Sequence, residues 1–276
     1  MFTTITVIET GHTSTIEQKL AAAAFGDRPG TWPLPAAATP QQLWWRAVAA
    51  GGQGRYGSAY RDLELLRRAV AAGPLLSLAH STRGSFLRQL GWHASARGWD
   101  GRALALAGDH PEARADALIG LAADALGVGR FAAAATLLAR ADPTPGAVPD
   151  RLPVRRGWVA AELAMASGDG RTAVRHAEAA VDLAATMAPA SVRHRVKSDV
   201  VLAAALCSAG SVERARVVAD AALRATEELN LIPLRWALAC LLIDIESDTF
   251  SARKLHEIRD VCAGQVRRAG GAWRSA

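Results

Sequence analysis

The feature that most constrains this chain is an internal helical repeat. In GDGRTAVRHAEAAVDL (residues 168–183), Ala173, Ala177 and Ala180 are spaced four and three residues apart, which places them on one face of an α-helix. Equivalent alanines recur at steps of 37, 38, 39, 42 and 37 residues, at Ala59, Ala96, Ala134, Ala173, Ala215 and Ala252. Such units bury their apolar faces only by stacking, so the pattern predicts an all-α repeat protein.

Composition agrees with a helical protein that buries a large core. Half of the 276 residues are hydrophobic and only 5% are aromatic, which suits helices packed through small side chains. No apolar run is long enough for a membrane span, and residues 1–14 lack the pattern of a signal peptide. The three cysteines, Cys207, Cys240 and Cys262, have no C-x-x-C spacing and indicate reduced thiols. We therefore expect a cytoplasmic protein with no membrane partner.

Residues 1–38 do not fit the repeat and are expected to form an N-terminal arm. The β-branched stretch FTTITVI (residues 2–8) predicts a short extended segment, and Ser14 with Glu17 has the spacing of a capping box that opens a short helix ending near Phe25. A proline-rich linker, residues 27–38, follows. The apolar residues 2–8 are tethered closely enough to fold back into a groove, in which case deleting residues 1–35 would raise partner affinity.

The regular body, residues 39–276, begins at a strong helix start. Thr39 is placed as the N-cap, Pro40 as the first helical residue and Gln42 as the partner in a capping box. Six units of two helices are expected to follow, with glycine turns such as residues 51–54 inside the units. Residues 142–150, DPTPGAVPD, predict a loop and a candidate hinge between two halves.

Three turn-plus-helix segments resemble the second half of tetratricopeptide (TPR) repeats. In GRYGSAYRDLELL, GRFAAAATLLARA and GDGRTAVRHAEAA, a glycine turn precedes an alanine by five residues, and further small or apolar residues follow. Small residues also stand seven positions before each turn, at Ala47, Gly84, Ala122, Ala161, Ala203 and Cys240. The resemblance covers residues 39 to 268 and is closest to the long, degenerate repeats of bacterial regulators.

The chain departs from the family pattern in two respects. The period exceeds the family's usual length of about 34 residues. Asp100, His256 and Arg259 also fall where a small or apolar residue would pack. The second and sixth units therefore match the family least.

The resemblance implies a right-handed α-solenoid of about six TPR-like helical hairpins with an N-terminal extension. The first helix of each pair would line a concave groove, and such grooves usually bind peptides or protein segments. Groove-facing spacing selects Trp44, Arg88, Gln89, Asp116, Arg155, Trp158, Glu162, Lys197 and Val200. Two tryptophan anchors among cations suit an extended acidic or C-terminal peptide. The alternative is that the tryptophans pack between repeats and the arginines are solvated.

These observations favour a non-enzymatic scaffold or regulatory module that binds a protein or peptide partner, as a monomer or a homodimer. The first alternative is a nucleic-acid-associated regulator, suggested by the net charge of +6. Its candidate phosphate contacts are Arg193, Arg195, Lys197, Arg214 and Arg216. Nucleic acid is not the expected partner, because no reader module is visible and a solvated helix face explains these residues. The second alternative is a small-molecule effector sensor.

No catalytic or cofactor site is expected. Gly52, Gly54 and Gly57 spell the dinucleotide motif G-x-G-x-x-G, but that motif requires a preceding strand and LWWRAVAA predicts a helix. The seven histidines have no partner at metal-ligand spacing, so no metal site is predicted. Cys207 is interpreted as a small packing residue rather than a reactive thiol.

Overall fold

The computed structural model describes residues 6–142 and 148–274, with side chains from Thr15 onward. Within these ranges every regular element is an α-helix and no strand occurs, which confirms the predicted all-α class. The helices are α1 (Thr6–Phe25), α2 (Pro40–Gly52), α3 (Tyr56–Ala69), α4 (Pro74–Gln89), α5 (His93–Ala107), α6 (Pro111–Gly127), α7 (Phe131–Arg140), α8 (Arg151–Ala166), α9 (Gly170–Thr186), α10 (Val192–Ser208), α11 (Val212–Glu228), α12 (Ile232–Ile245) and α13 (Ala252–Arg268). None of these helices combines the length and apolar character needed to cross a membrane.

The predicted helix start at Thr39 is confirmed, with one change in its side-chain contacts. The Thr39 hydroxyl accepts from the backbone N–H of Gln42, and Pro40 is the first helical residue. The Gln42 side chain accepts from the backbone N–H of Ala38, rather than that of Thr39 as a capping box requires. Its amide nitrogen also reaches Glu17 on α1, so the start of α2 is joined to the arm.

Five of the six helix pairs are joined by three-residue turns that depend on glycine. Each turn has one glycine in the left-handed region, which avoids the Cβ clash that other residues would meet there. These glycines are Gly54, Gly91, Gly129, Gly168 and Gly210, with φ between 76° and 88°. In the last pair Glu246, with φ of 59°, follows α12, and the connection is longer, residues 246–251.

The fourth residue of every second helix is buried, and this position carries the repeat. The six residues are Ala59, Ala96, Ala134, Ala173, Ala215 and Leu255, all at most 1% exposed. The sequence alignment on Ala252 was therefore wrong by three residues, because the longer connection before α13 shifts its register. Ala252 and His256 are both exposed, and Leu255 and Cys262 pack in the core instead.

The first helices of the pairs lie side by side on the inside of the molecule. Each of α2, α4, α6, α8 and α10 contacts the next first helix, and all six first helices, including α12, contact the second helix of their own pair. The second helices contact the following first helix, as α3 does with α4 and α5 with α6. The helix row therefore curves towards the first helices. The hinge predicted at residues 142–150 falls mostly on residues 143–147, outside the described residues.

The N-terminal arm differs from the prediction. Helix α1 already includes residues 6–8, which were expected to be extended, and Glu17 contacts Gln42 instead of closing a capping box at Ser14. β-branched residues cost a helix less than about 1 kcal/mol each, so a helix without an internal proline continues through them. The rest of the predicted extended segment, residues 2–5, lies outside the described residues.

The arm is docked across the body of the protein. Helix α1 packs against α2 and α10. In the linker, the side-chain amide of Gln53 donates to the carbonyls of Pro29 and Thr31 at 2.8 and 2.9 Å. The backbone N–H of Val192 donates to the carbonyl of Gly26 at 3.1 Å. The arm therefore connects the first pair of helices to the fifth.

The two ends of the helix row meet, so the row closes on itself. The backbone N–H of Gly57 donates to the carbonyl of Ala269 at 2.7 Å, and the indole N–H of Trp92 donates to the carbonyl of Ala272 at 2.7 Å. Val266 of α13 belongs to the same apolar cluster as Tyr56 and Leu63 of α3. The C-terminal tail is held from its other side by Trp273, which stacks on Trp236 with ring centroids 4.2 Å apart.

Trp273→Ala is expected to weaken this closure. The change removes the stack on Trp236 and the hydrogen bond from the indole N–H to the Ala263 carbonyl. We expect a loss of about 1–3 kcal/mol in the free energy of unfolding. The Gly57 amide lies in the first turn of α3 and its acceptor is Ala269, so it should also lose hydrogen-exchange protection. Val217→Ala, at a residue 68% exposed, is the control. Unchanged Gly57 exchange in Trp273→Ala would contradict the closure role.

Candidate functional site

The inner row of helices encloses a cavity of about 310 Å³. Its wall takes residues from α2, α4, α6, α8, α10 and α12, together with Phe25 from the arm and His93 from α5. The eight residues Trp44, Arg88, Gln89, Asp116, Arg155, Trp158, Glu162 and Lys197, selected by groove-facing spacing, all line it. Val200 does not, because it packs in the core between α10 and α11. The structure thus brings these eight residues together, while their role in binding stays a prediction.

The two tryptophans form parts of an aromatic wall and are each fixed by a hydrogen bond. The indole N–H of Trp44 donates to the Thr82 hydroxyl at 2.9 Å, and that of Trp158 donates to the Ser198 hydroxyl at 2.8 Å. Trp44 is only 5% exposed and lies 5.3 Å from Phe25 between ring centroids. Trp158 is half-buried. The tryptophans therefore pack between helices and face the cavity at the same time.

Arg88 is held by two buried carboxylates on the neighbouring helices. Its guanidinium pairs with Asp100 of α5 and, at 3.0 Å, with Asp124 of α6. Both carboxylates are fully buried. Burial alone would lower the pKa of Arg88, but the charges of Asp100 and Asp124 raise it. The charge of Arg88 is therefore compensated by these two carboxylates, and its main contacts stabilise the fold.

Asp100, which departs from the TPR pattern, is accommodated by glycines on two helices. A Cβ atom on Gly84 would lie 2.4 Å from one oxygen of Asp100, and a Cβ atom on Gly120 would lie 2.4 Å from the other. The missing side chains leave room for a carboxylate where a small residue was expected. Burial, followed by the neighbouring Asp124, raises the pKa of Asp100 to about 7, although Arg88 opposes the shift.

The remaining acidic residues of the wall pair with other cations. Arg151 donates to Glu112 at 2.6 Å and lies 3.7 Å from Asp116. Arg155 pairs with Asp116. Lys197 lies 3.7 Å from Glu162, and both side chains are partly exposed.

Arg193 is the exception among these cations. No carboxylate of the described residues pairs with it. One Nη atom donates to the carbonyl of Ala24 at 3.1 Å, while Nε is buried without a hydrogen-bond partner. Burial, together with the charge of Arg151, lowers the pKa of Arg193 to about 10. A guanidinium with that pKa is still charged at pH 7, so the cavity contains a cation that protein groups do not neutralise.

The five predicted phosphate contacts do not form one surface. Arg193 and Lys197 are one turn apart on α10 and face the cavity. Arg195, on another face of α10, donates to the carbonyls of Ala184 and Ala185 at the end of α9. Arg214 pairs with Glu178, and Arg216 donates to the carbonyl of Ile245. Alternate residues on a helix lie on different faces, which separates Arg193 from Arg195.

Sequence reasoning missed three contributors to the wall. Phe25 was assigned to the end of an independent arm, and its ring lies 6.4 Å from that of His194. Arg151 lies next to the Pro/Gly-rich loop and was not counted on α8. His194 stacks on Trp158 at 5.5 Å, and burial followed by nearby arginines lowers its pKa well below 6.5, so it is neutral at pH 7. For Arg151 the signal was available, since it precedes Arg155 by one helical turn.

The described residues contain no group of three His, Cys, Asp or Glu side chains arranged to hold a metal ion. The glycines at 52, 54 and 57 lie where α2 ends and α3 begins, so a helix precedes the motif as expected. The arrangement offers hydrogen-bond donors, cations and apolar surface, which are the elements of a binding site. No protein-family model matches the chain, and no curated protein shows significant similarity to it.

Arg88→Ala is expected to destabilise the fold rather than act only on binding. The change leaves Asp100 and Asp124 buried without their cation, which typically costs about 3–5 kcal/mol. Chemical denaturation measures the loss. Arg195→Ala is the control: it removes an exposed arginine and should change the free energy of unfolding by less than about 1 kcal/mol. Equal effects of the two changes would contradict the structural role of Arg88.

Asp100→Asn should change how stability depends on pH. With a pKa of about 7 in the folded state against 3.8 for an ordinary aspartate, Asp100 holds a proton that the unfolded chain has already lost between these values. Its contribution to stability is therefore lost as the pH rises through about 7. Asparagine does not titrate, so the variant should gain stability relative to the wild type as the pH rises from about 4 to 7, and the difference should level off above that pH. Thermal unfolding of both proteins across this pH range measures the difference. Parallel curves of stability against pH for the variant and the wild type would contradict the raised pKa of Asp100.

Proposed function

We propose that this chain is a non-enzymatic regulatory module that binds a small effector molecule inside its central cavity. The observation that carries the proposal is the meeting of eight of the nine groove-selected residues around one cavity, with a wall built by six first helices. The module is proposed to be a TPR-like right-handed α-solenoid of about six hairpins in the cytoplasm.

The repeated local geometry supports the TPR-like part of the proposal. Five pairs share a three-residue turn with a left-handed glycine, followed by a buried alanine at the fourth position of the second helix. The first helices line the inner face, as the resemblance implies. The three cysteines are free thiols, which is consistent with a reducing compartment.

The size and wall of the cavity support a small ligand. Pockets for small molecules typically measure about 300–1,000 Å³ and combine apolar walls with a few polar groups. At about 310 Å³ this cavity is at the lower end of that range. The docked arm and the closure of the helix row leave less room for an extended protein segment than an open groove would.

Unpaired polar atoms at the wall also favour an occupant. The Ser81 hydroxyl, Nδ1 of His93 and Nε of Arg193 are buried without hydrogen-bond partners, and all three residues line the cavity. A buried polar group without a partner costs about 1–3 kcal/mol. A ligand that supplies partners to these atoms would remove part of that cost.

A protein partner that inserts its terminal residues is the second candidate. Gln89 is exposed, and the Lys197 and Glu162 side chains are 30% and 36% exposed, although all three line the cavity. They therefore mark its opening, where the remainder of a peptide would emerge. The nucleic-acid alternative has less support, since the five basic residues assigned to it face different directions.

Filling the cavity tests the proposal. Ala123 lines the cavity on α6, and Ala123→Phe should occupy its space and abolish ligand retention. Ala132→Phe makes the same change on the exposed surface of α7 and is the matched control. Each purified protein is incubated with a small-molecule extract of the source cells, washed, and released ligands are identified by mass spectrometry. We expect a compound retained by the wild type and Ala132→Phe but not by Ala123→Phe. Retention of the same compounds by all three proteins would contradict the cavity as the binding site.

A further inference from the structure

Four of the five cations around the cavity pair with acidic side chains of the described residues. Asp100 and Asp124 share Arg88, and burial raises the pKa of both carboxyl groups. Glu112 pairs with Arg151, Asp116 with Arg155, and Glu162 with Lys197. The five cations and five carboxylates named here balance formally, and Arg193 is the cation that has no direct acidic contact in the described part of the chain.

The position of Arg193 is imposed by the helices around it. Its Cδ atom lies 3.1 Å from where a Cβ atom of Gly52 would be, so the glycine lets the side chain lie close against α2. The bond to the Ala24 carbonyl uses one Nη atom, and Nε is left without a partner. Arg151 and Arg155 lie near His194, and their positive charges add to the effect of burial in lowering the pKa of its imidazole.

The contacts of the Arg193 guanidinium within the described residues include no carboxylate. The neighbouring His194 is neutral at pH 7, and its Nδ1 atom is 2.7 Å from the Ser191 hydroxyl. Arg155 pairs with Asp116, and burial, followed by the charges of Arg88 and Arg193, lowers the pKa of Arg155 to about 10, although Asp100 opposes the shift. Buried cations are normally paired, and a bound anion would pair this one.

Helices α2, α4 and α6 contribute an apolar part of the wall. It presents Val48, Phe86, Ile119, Ala123 and Leu126. A ligand that fills the cavity must therefore place an apolar body against these side chains. Asp116 and Glu162 also line the cavity, and they would repel a second negative charge.

On the premise that the cavity binds an effector, as proposed above, we infer that this effector is a small organic acid. Its one anionic group binds Arg193, and its apolar body contacts Val48, Phe86 and Ile119. A carboxylate and a singly charged phosphate ester share this chemistry. Arginine presents N–H groups that suit both, and charge-assisted hydrogen bonds are stronger than neutral ones.

Calorimetric titration with matched probes tests the inference. Phenylacetate, octanoate and phenyl phosphate supply the anion, and phenylacetamide is the neutral counterpart of phenylacetate. The proteins are the full-length wild type, Arg193→Gln, Arg193→Lys and the control Arg195→Gln on the outer face of α10. We expect at least one anion to bind the wild type and Arg195→Gln equally, and about 10- to 100-fold more weakly to Arg193→Gln, with partial recovery in Arg193→Lys. A circular dichroism spectrum like that of the wild type, together with phenylacetamide binding equal to that of the wild type, would show that Arg193→Gln is folded.

The outcomes separate this inference from the proposed function. If phenylacetamide binds the wild type as tightly as phenylacetate, or Arg193→Gln keeps full anion affinity, the cavity binds ligands but the assignment of an acid at Arg193 is wrong. If no probe binds, charged or neutral, the proposed function itself is contradicted. A carboxylate could also come from the C-terminus of a protein partner. A peptide that ends in phenylalanine with a free carboxylate is therefore tested beside its amidated form. Binding of that peptide alone would overturn the small-acid assignment.

Discussion

The fold depends on close approach of helices through a small buried residue at the fourth position of each second helix. Alanine occupies this position in five pairs and places only a Cβ atom between the two helices. Helix separation follows the size of the side chains at the contact, so alanine permits the closest packing. Because the same contact recurs, the first helices come to lie side by side. The cavity is the space that this inner row encloses.

Closure of the row turns a curved surface into an enclosed site. A stack of helical units leaves apolar faces at both ends, which repeat proteins must cover. In this protein the tail after α13 covers the start of the row, through Ala269, Ala272 and Trp273, while the arm bridges α2 and α10. Phe25 enters the wall through that bridge. The features that stabilise the ends therefore also determine the size of the cavity.

Arginines on the inner row differ in role because their partners differ. Arg88 and Arg193 both face the cavity, yet the first is surrounded by Asp100 and Asp124 and the second contacts a backbone carbonyl. The carboxylates fit beside Arg88 because Gly84 and Gly120 leave room for Asp100. A departure from the family pattern thus has a structural explanation in one unit. It also explains why replacing Arg88 would report on folding as much as on binding.

The sequence by itself determined the all-α class, the start of α2 at Thr39, the glycine turns and most of the residues selected to face inward. These features follow from spacing of three and four residues along one helix, together with local signals such as Thr39 and the glycine turns. The alignment failed at Ala252, because a longer connection shifts α13 without leaving a strong local signal. Only the tertiary structure decided that the ends meet, that Phe25 joins the wall and that Arg193 lacks an acidic partner. The physical reason is that these features depend on residues far apart in the chain, as for Trp92 with Ala272, 180 positions apart, and Arg193 with Ala24, 169 positions apart. Helical periodicity acts within one helix and carries no information about such pairs.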